Sequence, residues 1–198
     1  MDAHEATALE SLAQFRERLT SGASPESIVR EFITFGAAVL IDQESYTRVR
    51  EYAGDVLEVS PNQNIFIVGS AKTGFSIKPH RRYELFNDSS DVDLAIVSSG
   101  IYERMWRESR RYSRQGGIWE GDTRVHFKND HSNAVIKPYV MPDSDAIPTR
   151  RVLFDLGVSL QRVGGSPYPV TIAVWHSMDA LEEYQALAVR KCQEALGT

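Results

Sequence analysis

The sequence predicts an α/β (α+β) fold, a small mixed sheet flanked by helices and preceded by an N-terminal helical segment. Three observations carry this expectation. Apolar residues recur at helical spacing through the first sixty positions. Two short apolar runs, Asn64 to Val68 and Val92 to Val97, are rich in β-branched residues and read as buried strands. A third run, Val170 to Trp175, precedes a final amphipathic helix. A chain of 198 residues, 42% hydrophobic and 25% charged, suits one domain over 1–198, with 1–60 helical and 61–198 forming the core and C-terminal helix.

Leu9, Leu12, Phe15 and Leu19 mark the first helix, which Ser21-Gly22-Ala23 closes. Ser24 is an N-cap candidate, followed by Pro25 at the first helical position and Glu26 in the first turn, and this second helix carries Ile28, Phe32 and Ile33. A third, with Tyr46, Val49, Tyr52, Ala53 and Val56, starts after Asp42 or Glu44 and stops before Ser60-Pro61-Asn62. The first strand then ends on Gly69. The stretch 71–90 is polar and broken by Gly74, Pro79 and Asn87-Asp88-Ser89-Ser90, so part of it is expected to be an exposed loop. Tyr102 to Gln115 predicts a basic helix ended by Gly116-Gly117. Thr123 to Phe127 and Ala134 to Met141 are candidate extended segments. Val152, Leu153, Leu156, Leu160 and Val163 fit a helix, and Ser177 caps the last one, which carries Leu181, Tyr184, Leu187, Ala188 and Leu196.

The longest apolar stretch, 35–41, is too short to cross a bilayer, and the opening residues Met1 to Glu5 lack the signal-peptide pattern. A cytoplasmic protein without membrane attachment is expected. The single cysteine, Cys192, cannot form an internal disulfide and reads as a packing residue. A net charge of -5 argues against general coating of nucleic acid, so any phosphate contact must be local.

Asp91 and Asp93 lie one residue apart at the start of a strand, where alternation sends both carboxylates to one face. Paired carboxylates of this kind suit Mg²⁺, which takes one or two of them together with phosphate oxygens. Val68-Gly69-Ser70 supplies a second feature: a glycine after a buried strand lets the backbone approach a phosphate, and the following N–H groups and hydroxyl can donate to it.

Together, Ile65 to Ser70 and Ser90-Asp91-Val92-Asp93-Leu94 resemble the polymerase-beta-like nucleotidyltransferase superfamily, whose members carry an apolar strand ending in Gly-Ser and a second strand entered through Ser-Asp-hydrophobic-Asp. The resemblance covers residues 64 to 98 and implies a nucleotidyltransferase-type sheet. It implies transfer of an NMP from an NTP such as ATP to a hydroxyl on nucleic acid, protein or a small molecule. Asp91 and Asp93 would be the catalytic pair and the ligands of Mg²⁺ (or Mn²⁺). Gly69, Ser70, Lys72 and Ser90 would bind the nucleotide, and compact members suggest a bacterial defence setting.

Two departures qualify this. The spacing from Ser70 to Asp91 is long, implying an inserted loop with Lys78, His80, Arg81 and Arg82. The third carboxylate of the family has no clear counterpart: Val170 to Trp175 has no acid, Tyr139 stands where one was expected, and Asp122, Asp130, Asp143 and Asp155 lack the hydrophobic setting. The alternative is therefore a catalytically impaired nucleotide sensor or partner of another protein.

Arg104, Arg107, Arg111 and Arg114 form a stripe at helical spacing, with Arg110 beside it and Trp106, Tyr112 and Trp119 nearby. The ordinary expectation is a solvated face paired with Glu103 and Glu108; the functional one is contact with an RNA or protein acceptor, aromatics stacking on bases. His126, His131 and His176 show no metal-ligand spacing.

Overall fold

A computed structural model describes residues 3–197 of the chain; Met1 and Asp2, part of the N-terminal stretch read above, and Thr198 lie outside it. Helix α1 (Ala3–Thr20) buries Ala8, Leu12, Phe15 and Leu19, a stripe at four- and three-residue intervals. Ser24 then accepts from Ser27 N at 3.2 Å and starts α2 (Pro25–Val29), which continues as a π-helical turn over Arg30–Thr34. Asp42 caps α3 (Gln43–Leu57) by accepting from Ser45 N at 2.8 Å. That bond is the main reason the Asp42 carboxyl sits below its ordinary value.

The single turn α4 (Pro61–Asn64) leads into β1 (Ile65–Val68), and α5 (Gly69–Thr73) follows at once. Strand β2 (Val92–Val97) feeds α6 (Ser99–Arg114), then come α7 (Thr123–Ser132), β3 (Val135–Ile136), α8 (Pro148–Val163), β4 (Val170–Trp175) and α9 (Met178–Leu196). The sheet order is β1-β2-β4-β3, with β2 and β4 parallel and the other two pairs antiparallel. This is a mixed four-stranded sheet flanked by helices, as the α/β expectation had it. Among the described residues no helix is long and apolar enough to cross a membrane.

Alternation along the strands divides the interior in two. Ile65, Ile67, Val92, Leu94, Ile96, Ile172 and Val174 face a core that includes residues of α3, α6 and α8. Phe66, Val68, Ala95, Val97 and Trp175 face the other, with α1, α2 and α9. Both faces of β2 are thus covered; Asp93, its second residue, is half-buried, and Asp91 immediately precedes the strand.

One local expectation is corrected. Thr123 to Phe127 is helical: only Phe127 of α7 is buried, packed against Trp119 with ring centroids 5.0 Å apart, so an exposed helix left no apolar period to read. The exposed loop expected within 71–90 is found at 78–80 and 87–89, whereas 71–77 is buried, because Phe75 packs on Phe15 at 5.2 Å and bridges Leu85 across the turn.

Candidate functional site

Val68 pairs with Asp93 across the β1–β2 ladder, which brings the end of the first motif against the second. Gly69 has φ +68 and lies so close to Asp93 that a Cβ there would overlap the Asp93 carboxylate. Glycine is therefore required twice at this position, for its left-handed backbone and for the room it leaves the acid. Ser70 follows on α5, half-buried, with a hydroxyl that has no partner among the described residues. Asp91 is half-buried and likewise makes no hydrogen bond or ion pair there.

Asp91 and Asp93 open into a cleft of about 300 Å³ shared with Lys78, Lys137, Tyr139 and Thr171. Burial raises the Asp93 carboxyl above its ordinary value and the neighbouring Asp91 raises it further, while Lys78, the Thr171 hydroxyl and Lys137 oppose the shift. Thr171 is the residue opposite Asp93 on parallel β4, and its hydroxyl donates to Asp93 Oδ1 at 3.0 Å. Burial alone would lower Lys137; its hydrogen bond and ion pair with Asp130, at 2.9 Å, more than offset this and leave its pKa raised. Lys137 therefore stays an ammonium beside the acids. Burial also pushes the Tyr139 hydroxyl up, which keeps it a neutral donor near pH 7.

Among the residues expected from the sequence, Asp91 and Asp93 share the cleft and Gly69 lies against Asp93, while Ser70 follows Gly69 on α5 and is not among the cleft's lining residues. Lys72 does not join them: it is 1% exposed, its ammonium donates to the Gly36 carbonyl, and it lies 5.5 Å from the Tyr46 ring centroid. Burial first, and the Arg50 charge second, bring its pKa down to about 8. Ser90 is also buried, and its hydroxyl accepts from Asn87 N at 3.1 Å, closing the turn that delivers Asp91. Both belong to the scaffold of the site rather than to its surface.

Among the described residues no acid besides Asp91 and Asp93 lines this cleft. Asp143 pairs with Arg150 at 2.7 Å, Asp130 is held by Lys137, and Asp122 and Asp155 are exposed on α7's cap and on α8. Among the described residues, no group of three or more His, Cys, Asp or Glu could hold a metal ion. The sequence reading missed Lys137 and left open which acidic or neutral residue would face Asp93, which proves to be Thr171. The phase of Thr171 within its strand was available, but a parallel register between strands almost eighty residues apart left no local signal.

A larger cavity of about 820 Å³ touches the same end of the sheet through Ile67, Val92 and Val170. Those side chains lie on the face opposite Asp93, and the rim carries Glu5, Asp42, Glu84 and Asp88 with no lysine or arginine. Its size is no argument for phosphate, which the smaller cleft with two lysines suits better.

The basic stripe also takes a definite form. Glu108 is buried and accepts from Thr149 N at 3.1 Å and from Thr149 Oγ1 at 2.8 Å, so it is unavailable to the arginines. Trp106 stacks on His131 with centroids 3.9 Å apart, and the Tyr112 hydroxyl donates to the Ile118 carbonyl at 2.8 Å. Cys192 is buried, as a packing residue should be.

In comparisons with protein-family models, curated proteins and solved structures, none matches this chain.

Proposed function

We propose that the chain is a nucleotidyltransferase-like protein that holds a nucleoside triphosphate at Gly69-Ser70 and the Asp91/Asp93 pair without transferring its nucleotidyl group, acting as a sensor or as the partner of another protein. The observation that carries this is the Val68–Asp93 pairing, which joins the two motifs of the superfamily resemblance at one edge. Lys78 and Lys137 in the cleft offer two ammonium groups to phosphate oxygens, and Ser70, next to Gly69, would add a hydroxyl.

The donor set fits one Mg²⁺ (or Mn²⁺), since two carboxylates completed by phosphate oxygens suit that ion. Bound there, the ion would neutralise phosphate charge. The set does not fit a two-ion arrangement, because the residue facing Asp93 is Thr171, a neutral hydroxyl that is already bonded to it. Among the described residues no third carboxylate lines the cleft to accept the proton of an acceptor hydroxyl alongside a metal-bound pair.

The transferase reading, in which NMP passes to a hydroxyl acceptor and pyrophosphate leaves, is favoured by one observation: the Asp91 carboxylate and the Ser70 hydroxyl are uncommitted among the described residues. One experiment separates the two. Each labelled NTP is incubated with protein, Mg²⁺ or Mn²⁺, and RNA, DNA and protein acceptors, beside Asp91→Asn and Asp93→Asn. Retention of an NTP without pyrophosphate release, lost in both variants, is expected. Pyrophosphate release lost in both variants supports the transferase, and retention of no NTP by the unaltered protein overturns both.

A further inference from the structure

Five arginines lie on α6, and none of Arg104, Arg107, Arg110, Arg111 or Arg114 makes an ion pair among the described residues. The pairing expected for an ordinary solvated face has not formed. Glu108 is turned into the protein to hold Thr149, and Glu103, one turn before Arg107, makes no ion pair with it. Arg107, Arg110, Arg111 and Arg114 instead line a groove of about 390 Å³ whose only other lining residue is Gln115. In a chain of net charge -5, four guanidinium groups around one groove form a concentrated field of the opposite sign.

The helix has no lysine, and arginine is the side chain whose planar fork matches phosphate oxygens in pairs. At 1.5 Å per residue, Arg104 to Arg114 spans ~15 Å of helix axis. At ~3.4 Å per phosphate along one stacked strand, that length meets about four phosphates. The nearby aromatics are committed elsewhere: Trp106 has His131 on its ring and the Arg110 guanidinium 5.7 Å from its centroid, and Tyr112 is bonded to the Ile118 carbonyl. Phosphates can be held here, while Trp106, a ring beside the stripe, is already stacked.

We infer that the arginine face of α6 is a docking surface for a nucleic-acid backbone, RNA in the first instance, read through phosphates and without base preference. This surface goes beyond the nucleotide cleft and does not depend on it, since α6 packs on the sheet face opposite Asp93.

The test is fluorescence anisotropy with a labelled single-stranded RNA of mixed sequence and with a homopolymer of equal length, titrated at several salt concentrations. The unaltered protein is expected to bind both within about threefold of one another. A triple variant, Arg107→Ala/Arg111→Ala/Arg114→Ala, removes three phosphate contacts and should flatten the log–log salt slope by about 2. Replacement of the same three by Lys should restore most of that slope, which separates charge from altered packing. Binding that the alanine triple leaves unchanged overturns the inference. So does capture of an acidic polypeptide by the unaltered protein without binding of RNA, and so does a strong preference between the two RNA sequences.

Discussion

Thr171 and Asp93 face each other on adjacent parallel strands, and the Thr171 hydroxyl donates to Asp93 Oδ1 at 3.0 Å. A neutral group thus stands where an acid would complete a three-carboxylate site. Thr171→Asp should install one. Without divalent cation the variant should melt below the unaltered protein, because two carboxylates would then share a poorly solvated position. Saturating Mg²⁺ should raise its Tm by more than it raises that of the unaltered protein. Equal Mg²⁺-induced shifts in the two proteins would count against a metal site at this position.

Asp93 also sets a pH dependence. Burial and Asp91 raise its carboxyl above the ordinary 3.8, so the folded state binds its proton more tightly than the unfolded chain does. The stabilisation from that proton is fully present below the unfolded value and is lost as pH rises through the folded one. Asp93→Asn removes the titration. Its stability should exceed that of the unaltered protein at neutral pH, and the difference should shrink as pH is lowered towards 4, measured by urea unfolding across that range. A pH-independent difference would contradict the assignment.

Gly69→Ala places a methyl group on a backbone of φ +68 and into the Asp93 carboxylate. The left-handed conformation alone should cost about 1–3 kcal/mol. The overlap adds to it, so Gly69→Ala in an Asp93→Ala background should lose less stability than in the unaltered chain. Additive losses in denaturant titrations would show that the two residues do not press on one another.

Lys72 makes a separate prediction at alkaline pH. Its folded value of about 8 lies below the ordinary 10.5, so between those values the unfolded chain holds more protons and stability rises with pH. That contribution is lost as pH falls through about 8. Lys72→Met, which fills the same buried space with an apolar chain, should flatten the rise between pH 8 and 10.5 in thermal melts. The same variant should retain any NTP binding, because its ammonium is spent on the Gly36 carbonyl. Loss of NTP binding in a folded Lys72→Met protein would return this residue to the site.

Glu108 ties α6 to the first turn of α8 through two hydrogen bonds to Thr149. Glu108→Ala leaves a buried N–H and hydroxyl without their acceptor and should cost about 1–3 kcal/mol. Thr149→Val, which removes only the hydroxyl, should cost less. A neutral Glu108→Ala in chemical denaturation would mean that this carboxylate does not fix the rotation of α6, on which the outward arginine face depends.

Much of the architecture could be read from local pattern. The caps at Ser24, Asp42 and Ser177, and the strands Val92 to Val97 and Val170 to Trp175, follow from side chains acting on their own backbone or alternating about it. Helix α7 escaped because a helix with one buried residue carries no periodic signal. Lys72 misled for a different reason: a lysine beside a Gly-Ser turn looks like a phosphate ligand in sequence, whereas the packing of the segment 36–40 against α5 buries it.

By itself the sequence determined most of the helices and the longer strands and set the two acids at the start of one strand, because those depend on interactions spanning a few residues. Only the tertiary structure decided that Val68 and Thr171 would flank Asp93, that Lys137 would enter the cleft held by Asp130, and that Glu108 would leave the arginines unpaired. Register between distant strands and the rotation of a helix on the core are fixed by the summed packing of both sheet faces, to which no short stretch of sequence holds the key.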